Sequence, residues 1–502
     1  MRIETLLRTR PVSAVILAAG LGTRMRSRIP KVLHRLGGRP MIDLLIDACQ
    51  TAGVEDVIAI ISPRHEAVAD HVAGRCDVVF QAEQRGTGHA VAQVPAERLA
   101  GHDVLVLNGD LPLVRPETIA RLRDAHQAAG VAATLASVDD PGRRDARVVR
   151  GPDGAFDRIV EFRDAADDIR ALREINVGLY CFNGEGLLKS LGRLEPNNQA
   201  GELYLTDVFR DLRPAQVVRI DDASEAVGVN DRVELARAER ALRERVLEDL
   251  MRSGVTVVDP ASTFVDVGVR VGCDTVLEPF TVLRGSTVIG EDCLVGPFVE
   301  IRDSKLGDGA KVVQSWLDGA ELGAGSDCGP FAKLRPGTCV ADDVHIGSFA
   351  ELVRSRVGRG SKVPHVSYLG DTTVGEGVNI GAGTITANYD GVGKNPTVIE
   401  DGAFIGVDTM LRAPVRVGRG ARTGAGAVVT RDVPPGVTAV GMPARMLKRG
   451  TRLAPPGPPA VEGGKGRRFA PPDPPAGEGG TGTRLAPPDP PALEGGRGQE
   501  QA

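Results

Sequence analysis

The chain of 502 residues carries 61 lysines and arginines against 66 aspartates and glutamates, which gives a formal net charge of −5. This balance argues against a nucleic-acid or an anionic-membrane partner, and the length predicts two to four domains. The seven cysteines are scattered without a Cys-x-x-Cys pair, which favours reduced thiols over a disulfide framework. Neither a secretory signal nor an apolar run of membrane-spanning length occurs. We therefore expect a soluble, unanchored, cytoplasmic protein.

The segment 15–31 joins a short apolar run to a glycine-rich turn and a series of cations. Its first three residues predict a buried parallel strand, and Gly20 and Gly22 follow closely. Small residues at the end of a strand let the backbone approach a ligand, and free N–H groups bind anionic oxygens. The alternative is an ordinary strand-to-helix loop with solvated arginines, since neither a Walker loop nor Gly-x-Gly-x-x-Gly is present. The cations that can neutralise a polyphosphate are Arg24, Arg26, Arg28 and Lys31.

A second glycine turn and a second strand extend this pattern. The turn at 81–90 opens a predicted helix, and residues 104–107 predict a buried strand that ends in Asn108, Gly109 and Asp110. An aspartate at the carboxyl end of a parallel strand lies where open α/β sheets bind ligands, and its oxygens suit Mg²⁺ on a nucleotide. Such an aspartate is by itself more often a helix cap or a turn residue. Its conjunction with the first loop favours a nucleotide site.

Residues 231–253 predict one long helix, rich in alanine, leucine, glutamate and arginine. Gly254 ends the helix. A helix of this length spans about 30 Å, so we expect it to separate two domains as a strut. Its apolar stripe comprises Leu235, Ala238, Leu242, Val246 and Leu250.

From residue 255 to residue 440 the sequence repeats a phrase of an aliphatic residue, a glycine, two variable residues and a small residue. Examples begin at Val271, Ile289, Val374 and Val417. The aliphatic residues recur at intervals of about six residues or a multiple of six, a spacing that predicts a parallel β-helix with an inward column of aliphatic side chains. A sandwich would show alternating polarity and hairpin turns, which this region lacks. Hexapeptide repeats of this kind resemble left-handed β-helices.

The carboxyl-terminal segment contains a proline-rich phrase three times, starting at Thr451, Arg467 and Thr483. Too few apolar side chains are present to offset the entropy of ordering, so a disordered, partly polyproline II tail is predicted. Together the patterns divide the chain into an N-terminal extension (1–11), an α/β nucleotide-binding domain (12–230), a linker helix (231–253), a hexapeptide-repeat domain (254–449) and the tail (450–502).

The first segment carries Leu-x-x-Gly-x-Gly-Thr-Arg from Leu17 and Pro-Lys at residues 30–31, and so resembles the signature of sugar-phosphate nucleotidyltransferases. With the hexapeptide repeats and the polar phrase 361–371, residues 12–445 resemble the bifunctional family that makes UDP-N-acetylglucosamine. The resemblance implies an α/β Rossmann-like nucleotidyltransferase domain followed by a left-handed parallel β-helix. It also implies a homotrimer assembled through the β-helix.

The activities implied by this resemblance are an acetyltransferase and a uridyltransferase. Glucosamine 1-phosphate would be acetylated with acetyl-CoA. N-acetylglucosamine 1-phosphate would then receive UMP from UTP, with Mg²⁺ as metal cofactor and release of pyrophosphate. The product would feed peptidoglycan and lipopolysaccharide precursor synthesis.

The resemblance implies a UTP and sugar-nucleotide site in the first domain. Gln81, Gly86 and Thr87 would read the uracil ring, and Glu161 and Asn176 would bind the sugar hydroxyls or the acetamido group. The implied residues are Leu17, Ala18, Ala19, Gly20, Arg24, Lys31, Gln81, Gly86, Thr87, Asn108, Gly109, Asp110, Ala146, Glu161, Asn176 and Asn230.

The charged members of this set have implied roles in phosphate chemistry. Arg24 and Lys31 would stabilise charge on the pyrophosphate leaving group. Asp110 and Asn230 would hold Mg²⁺, for which oxygen ligands are suited. Catalysis would then consist of positioning and charge neutralisation. One departure from the family pattern is Ala146, where the family has a glycine.

For the second domain the resemblance implies that His365 is the general base, a role that suits an imidazole because it titrates near neutral pH. A lone histidine is more often structural, but this one lies inside the polar phrase. Glu351 would orient it. The implied glucosamine-phosphate residues are Arg335, Val353, Tyr368 and Asn379, and the implied acetyl-CoA residues are Ala382, Asn388, Tyr389, Val407 and Ala425.

Three positions of the second domain depart from the family pattern. Val353 stands where the family has a lysine on the sugar phosphate, although Arg354 is adjacent. Val407 replaces a serine on the coenzyme side, and Met442 replaces a distal arginine. Two other functions remain open: a single-activity nucleotidyltransferase whose β-helix only oligomerises or regulates, and a non-catalytic scaffold or binding module in the second half.

Overall fold

The computed structural model describes residues 10–446 of the chain. The predicted tail and nearly all of the predicted N-terminal extension lie outside the described residues. All seven cysteines are described, and each is a free thiol. No helix within residues 10–446 is long and apolar enough to cross a bilayer.

The first domain is built on a twisted sheet in which the strand order is β11-β7-β10-β6-β1-β4-β5, with β8 and β9 attached to β10. Pairing is parallel except at β10, which runs antiparallel to β6 and β7, and in the hairpins β2–β3 and β8–β9. The strands are β1 (Val12–Ala18), β2 (Arg35–Leu36), β3 (Arg39–Pro40), β4 (Asp56–Ile61), β5 (Asp77–Phe80), β6 (Asp103–Asn108), β7 (Ala133–Asp139), β8 (Arg147–Arg150), β9 (Phe156–Val160), β10 (Glu174–Asn183) and β11 (Ala215–Arg219).

Helices cover both faces of this sheet, so alternate side chains of β1 enter different cores. Ile16 packs in one buried cluster with Leu45, whereas Val15 packs in another with Phe182. Burial on both faces explains why the parallel strands are continuous apolar runs in the sequence. The helices are α1 (Met41–Thr51), α2 (Glu66–Val72), α3 (Thr87–Val91), α4 (Ala96–Leu99), α5 (Pro116–Ala129), α6 (Asp167–Arg170), α7 (Gly184–Leu191) and α8 (Arg232–Arg252), with short 3₁₀ turns at Thr23–Met25, Lys31–Leu33, Leu205–Arg210 and Ala223–Ala226.

Helix α8 begins at Asp231, whose side chain accepts hydrogen bonds from the backbone N–H groups of Val233 and Glu234, an N-cap arrangement. Its Ala238 packs in a cluster with Leu36 of β2, and its Leu247 packs at the start of the second domain's core. The helix is therefore packed against one domain near its start and against the other near its end.

The two domains also contact each other directly through the β2–β3 hairpin. The Val267 N–H donates to the Gly37 carbonyl at 2.9 Å, and the Gly37 N–H donates to Glu239 Oε2 of α8 at 2.9 Å. Gly37 and Gly38 have φ of +50° and +79°, backbone conformations that favour glycine.

The second domain is a left-handed parallel β-helix with three sheet faces of twelve, ten and nine strands, and the predicted fold class is confirmed. The first face comprises Thr256–Val257, Val276–Leu277, Leu294–Val295, Lys311–Val312, Asp327–Cys328, His345–Ser348, Lys362–His365, Asn379–Ile380, Phe404–Ile405, Arg422–Thr423, Thr438–Val440 and Arg445–Met446. The second comprises Phe264–Val265, Thr281–Arg284, Val299–Arg302, Trp316–Asp318, Lys333–Leu334, Glu351–Val353, Tyr368–Gly370, Ile385–Ala387, Met410–Arg412 and Val428–Val429. The third comprises Arg270–Val271, Val288–Ile289, Lys305–Leu306, Glu321–Leu322, Cys339–Val340, Arg356–Val357, Thr372–Val374, Thr397–Ile399 and Val415–Val417.

Most of the short strands turn one aliphatic side chain into the interior of the β-helix, and Cys328 and Thr423 take this place in two strands of the first face. On the second face Leu283, Ile301, Leu317, Leu334 and Leu352 stack in register, each fully buried. Each such burial stabilises the fold by about 1.5–3 kcal/mol. The column repeats coil after coil, which is why the hexapeptide period is visible in the sequence.

Candidate functional sites

The first candidate site lies at the carboxyl ends of β1, β5 and β6, next to the point where the chain reverses its strand order. A cavity of about 280 Å³ is lined by residues 17–20 at the end of β1, by Gln81, Gly86 and Thr87 after β5, and by Asn108 and Asp110 at the end of β6. Gly109 lies behind them, with its N–H donating to the Leu17 carbonyl at 3.0 Å. The structure thus brings together segments that are far apart in the sequence.

The amide of Gln81 is fixed at the base of this cavity. The side chain is 3% exposed, and its Nε2 donates to the Gly86 carbonyl at 3.2 Å and lies 3.1 Å from His89 Nδ1. The Thr87 hydroxyl accepts from the Leu205 N–H at 3.0 Å. A planar amide held in this way can hydrogen-bond the edge of a nucleobase.

Lys31 lies between two side chains that come from different ends of the domain. Its Nζ donates to Asp110 Oδ2 at 2.9 Å and to Asn230 Oδ1 at 3.2 Å. The Asp110 and Asn230 oxygens therefore lie close together, and both are of the kind that Mg²⁺ prefers as ligand atoms. Within residues 10–446 no group of three or more acidic, histidine or cysteine side chains has metal-binding geometry. Two protein oxygens fit Mg²⁺, since it is commonly held by one or two carboxylates together with phosphates and waters.

A second and larger cavity, of about 840 Å³, adjoins the first and shares Thr87, Asn108 and Asp110 with it. The predicted residues Arg24, Ala146, Glu161, Asn176 and Asn230 also line it. Together the two cavities contain every residue of the implied UTP and sugar-nucleotide set except Gly109, whereas the candidate cations Arg26 and Arg28 are exposed and line neither cavity.

The sugar-side groups of the larger cavity are held by neighbouring polar groups. Glu161 Oε1 accepts from the Thr206 hydroxyl at 3.1 Å, and burial raises the pKa of the Glu161 carboxyl. Asn176 Nδ2 donates to the Tyr180 hydroxyl at 2.6 Å. The Asn176 N–H donates to the Ala146 carbonyl at 2.8 Å.

Sequence reasoning missed several residues of the larger cavity. The loop 140–146 follows the carboxyl end of β7 and lines the cavity with Arg143 and Asp145, and the segment 202–206 lines it with Glu202 and Tyr204. Strand β7 is two places away from β6 and parallel to it, so its loop reaches the same edge of the sheet. A strand pattern at 133–139 followed by a polar loop was the signal that could have pointed to them.

The second candidate site lies on the outside of the β-helix, at the corner between its first and second faces. His365 ends a strand of the first face, and Tyr368 begins the next strand on the second face. Asn379 lies one coil further along the first face, in register with Lys362. The His365 side chain is exposed, so it is available to a ligand.

Three of the residues predicted to contact acetyl-CoA, Ala382, Val407 and Ala425, follow the same corner, whereas Asn388 and Tyr389 follow a strand of the second face, at its other corner. The Gly383 N–H donates to the Val366 carbonyl, the Asp408 N–H to the Ala382 carbonyl and the Gly426 N–H to the Val407 carbonyl. Ala382, Val407 and Ala425 therefore stack on successive coils that continue from His365. The three steps from the coil of His365 to the coil of Ala425 cover about 14 Å at the normal strand spacing.

Asn388 and Tyr389 begin a loop that extends out of the coil. Asp390 accepts from the N–H groups of Val392 and Gly393, which close the loop as a tight turn. Asn388 is buried and donates from Nδ2 to Asp371 Oδ2 at 2.6 Å, whereas the Tyr389 ring is 61% exposed.

The cations that follow strands of the second face, at its corner with the third face, are engaged by carboxylates. Arg354 contacts both oxygens of Asp371, at 2.6 and 2.8 Å, and this contact holds the pKa of Asp371 below its ordinary value. Arg335 Nη1 donates to Glu351 Oε1 at 3.0 Å, so the Glu351 carboxylate faces Arg335. Val353 is 3% exposed and brings no charge to the surface. Met442 is exposed near the last coil.

The fold and the two sites define a two-domain transferase with a nucleotidyltransferase-type domain and a hexapeptide β-helix. Residues 14–206 match the family described as MobA-like NTP transferase domain, and residues 268–303 and 396–431 match bacterial transferase hexapeptide repeats.

Curated relatives of this chain carry the name bifunctional protein GlmU. The relative from Syntrophomonas wolfei is 44% identical over 435 residues, which are 86% of this chain and 97% of that protein. The relative from Heliobacterium modesticaldum is 46% identical over 438 residues, 85% and 95% of the two chains. The relative from Thermotoga maritima is 43% identical over 440 residues, 87% and 98%. The chain belongs to the GlmU family of bifunctional transferases.

Proposed function

We propose that this chain makes UDP-N-acetylglucosamine in two steps, acetyl transfer to glucosamine 1-phosphate at the β-helix and uridylyl transfer to N-acetylglucosamine 1-phosphate at the first domain. Membership of the GlmU family supports both activities. The observation that carries the uridylyl assignment is the convergence of Lys31, Asp110 and Asn230 where the two cavities meet.

In the uridylyl step UTP occupies the smaller cavity and the sugar phosphate the larger. Gln81 fixes the uracil, and the backbone of residues 17–20 lies against the phosphates. A phosphate oxygen of N-acetylglucosamine 1-phosphate attacks the α-phosphorus, and the bond to the β-phosphate breaks to release pyrophosphate. Lys31 and Arg24 neutralise the charge that grows on the leaving group. Mg²⁺ held by Asp110 and Asn230 would supply further charge neutralisation.

In the acetyl step the glucosamine amine attacks the thioester carbonyl of acetyl-CoA. A nitrogen–carbon bond forms, the carbon–sulfur bond breaks, and His365 takes the proton that the amine loses. Tyr368 begins the second-face strand after His365, Asn379 lies one coil further along the first face, and Arg335 contacts Glu351, the register partner of Tyr368. These side chains would position the sugar and its phosphate. The stack from the coil of His365 to that of Ala425 covers about 14 Å, which is long enough to accommodate the extended thiol arm of the coenzyme.

The proposed assembly is a homotrimer, and an exposed aromatic ridge supports it. Phe280, Phe298, Phe331 and Phe349 lie along the same corner as His365, each more than half exposed. They stack in pairs, with ring centroids 4.8 and 5.1 Å apart. An apolar strip of this kind indicates a protein interface. Light scattering should give three times the mass of the chain, whereas the mass of a monomer would contradict the trimer.

One experiment tests both activities. The full chain is incubated with glucosamine 1-phosphate, acetyl-CoA, UTP and Mg²⁺, and the products are separated. We expect free CoA, pyrophosphate and UDP-N-acetylglucosamine, the behaviour of a cytoplasmic biosynthetic enzyme. Pyrophosphate formed only from supplied N-acetylglucosamine 1-phosphate, with no release of CoA, would favour the single-activity alternative.

A further inference from the structure

Arg143 lies beside the groups that meet at the uridylyl site. It belongs to the loop 140–146, which forms one wall of the larger cavity. A Cβ placed on Gly228 would be 4.0 Å from Arg143 Nη2, 3.9 Å from Asp110 Cγ and 3.8 Å from Asn230 Nδ2. The Arg143 guanidinium therefore faces the same small region as the Asp110 and Asn230 side chains.

The Arg143 guanidinium is held in place by its own loop and by the segment that contains Ala226. Nη1 donates to the Ala226 carbonyl, and Nε lies 2.7 Å from Asp145 Oδ2. The latter contact is an ion pair rather than a directed hydrogen bond, since Asp145 Oδ2 is buried without a hydrogen-bond partner in residues 10–446. Nη2 is the atom on the Gly228 side. Two fixed nitrogens leave the guanidinium little freedom to turn.

The loop itself is held by a buried arginine. Arg147 is 1% exposed, and it donates to the carbonyls of Arg143 at 2.8 Å, Asp145 at 3.0 Å and Arg170 at 3.1 Å. These bonds fix the backbone on both sides of residue 144.

The charge of the larger cavity makes a fixed cation necessary for an anionic substrate. A sugar 1-phosphate is an anion that must place its phosphate near Asp110 while its sugar faces Glu161 and Asn176. Lys31 is engaged by Asp110 and Asn230 on the nucleotide side. The acidic side chains lining the cavity are Asp110, Asp140, Asp145, Glu161, Glu202 and Glu234, and the arginines are Arg24, Arg143, Arg144 and Arg237.

We propose that Arg143 binds the phosphate of N-acetylglucosamine 1-phosphate through Nη2, with Asp145 and Arg147 as positioning residues. This inference rests on the uridylyl activity proposed above. Nη2 carries two N–H donors, and it is the nitrogen left for a phosphate oxygen because Nη1 and Nε are engaged by the Ala226 carbonyl and by Asp145.

The test compares Arg143→Ala with Arg143→Lys and with Arg144→Ala, which removes the same charge from an exposed arginine of the same loop that also lines the cavity. Hydrogen bonds to charged groups predict that Arg143→Ala raises the KM for N-acetylglucosamine 1-phosphate by about tenfold to a hundredfold. The KM for UTP should stay within about twofold, and Arg143→Lys should recover part of the loss. Calorimetric binding of UDP-N-acetylglucosamine should weaken in parallel, whereas binding of UTP should not.

Other outcomes would overturn the inference. Equal effects of Arg143→Ala and Arg144→Ala would indicate general electrostatic attraction instead of a contact. A lower thermal midpoint with unchanged KM would make Arg143 a structural link between its loop and Ala226. If the wild-type protein is active and Arg143→Ala has the same KM for N-acetylglucosamine 1-phosphate, this inference alone is contradicted. If the wild-type protein shows no uridylyl transfer, the proposed function is contradicted.

Discussion

The two ends of strand β6 show how one residue type serves binding or stability according to its surroundings. Asp110, just past the carboxyl end, contacts Lys31 and lines both cavities. Asp103, at the amino end, is 4% exposed and accepts from Gln127 Nε2 at 3.1 Å, with His126 Nε2 3.7 Å away. The carboxylate of Asp110 is open to a ligand, whereas that of Asp103 is enclosed by the fold.

Asp103 should stabilise the fold in a way that depends on pH. Burial opposes its ionisation, but contacts from His126, Gln127 and Arg10 outweigh burial and lower the pKa of the carboxyl. A carboxyl group whose pKa is lower in the folded protein stabilises the fold at pH values above the pKa that it has in the unfolded chain. This stabilisation is lost as the pH falls through the lower pKa of the folded protein. We expect Asp103→Asn to lower the thermal midpoint at pH 7 and the difference from wild type to shrink below about pH 4. The exposed Asp168→Asn is the control, and a constant difference across the range would contradict the assignment.

His365 should be needed for acetyl transfer alone. Removal of a general base reduces the rate by about 10²–10⁴-fold, so His365→Ala should lower kcat for acetyl transfer by that factor with little change in the KM for acetyl-CoA. Uridylyl transfer to supplied N-acetylglucosamine 1-phosphate should be unchanged. The matched control is His345→Ala, which removes a histidine paired with Asp327 on the same face. If His365→Ala retains most of the acetyltransferase kcat, His365 is not the general base.

Among the elements, the β2–β3 hairpin links the nucleotide loop to the β-helix. It follows the 3₁₀ turn that carries Lys31, and its Gly37 carbonyl accepts from Val267 in the first coil. A Cβ on Gly38 would lie 2.3 Å from Asp266 Oδ2, and this oxygen accepts from the Gly285 N–H at 3.0 Å. The close approach of the two domains therefore requires a glycine at position 38.

Gly38→Ala should destabilise the junction more than an equivalent change elsewhere. Gly101→Ala is the control, because Gly101 has nearly the same φ, +77° against +79°, but nothing within 4 Å of its Cβ position. The control should lose about 1–2 kcal/mol from its left-handed backbone. Gly38→Ala should lose more, because Asp266 must also move. Thermal midpoints measure the difference, and equal shifts would show that the hairpin tolerates a side chain.

In the whole molecule the two candidate sites are built on different architectures. The first uses loops at the carboxyl edge of a sheet, where distant segments meet. The second site lies along the outer corner of the β-helix, where successive coils each contribute a residue. Because each site has its own supporting core, a change at one should leave the other intact.

Asp110→Asn tests this independence. The loss of a carboxylate beside Lys31 and the phosphates should sharply reduce pyrophosphate release from UTP, because a ligand charge for the metal is lost. Acetyl transfer to glucosamine 1-phosphate by the same preparation should stay at the wild-type rate. Equal loss of both activities in a variant that melts like wild type would mean that the sites are coupled.

Local and periodic features were predictable from the sequence because their signals lie within a few residues of each other. The glycine turn before Arg24, the strand before Asp110 and the repeat of aliphatic residues each reflect the backbone of a single element, and the fold class is confirmed. The domain boundaries and the roles of the site residues stay predictions.

The sequence by itself determined the class of both domains and most of the residues that line the smaller cavity. Only the tertiary structure decided that Arg143 and Asp145 reach the same cavity, that Arg354 is engaged by Asp371, and that the β2–β3 hairpin contacts the β-helix. The physical reason is that a side chain's partners depend on which distant segments the fold brings within hydrogen-bonding distance. No local pattern of residues specifies that distance.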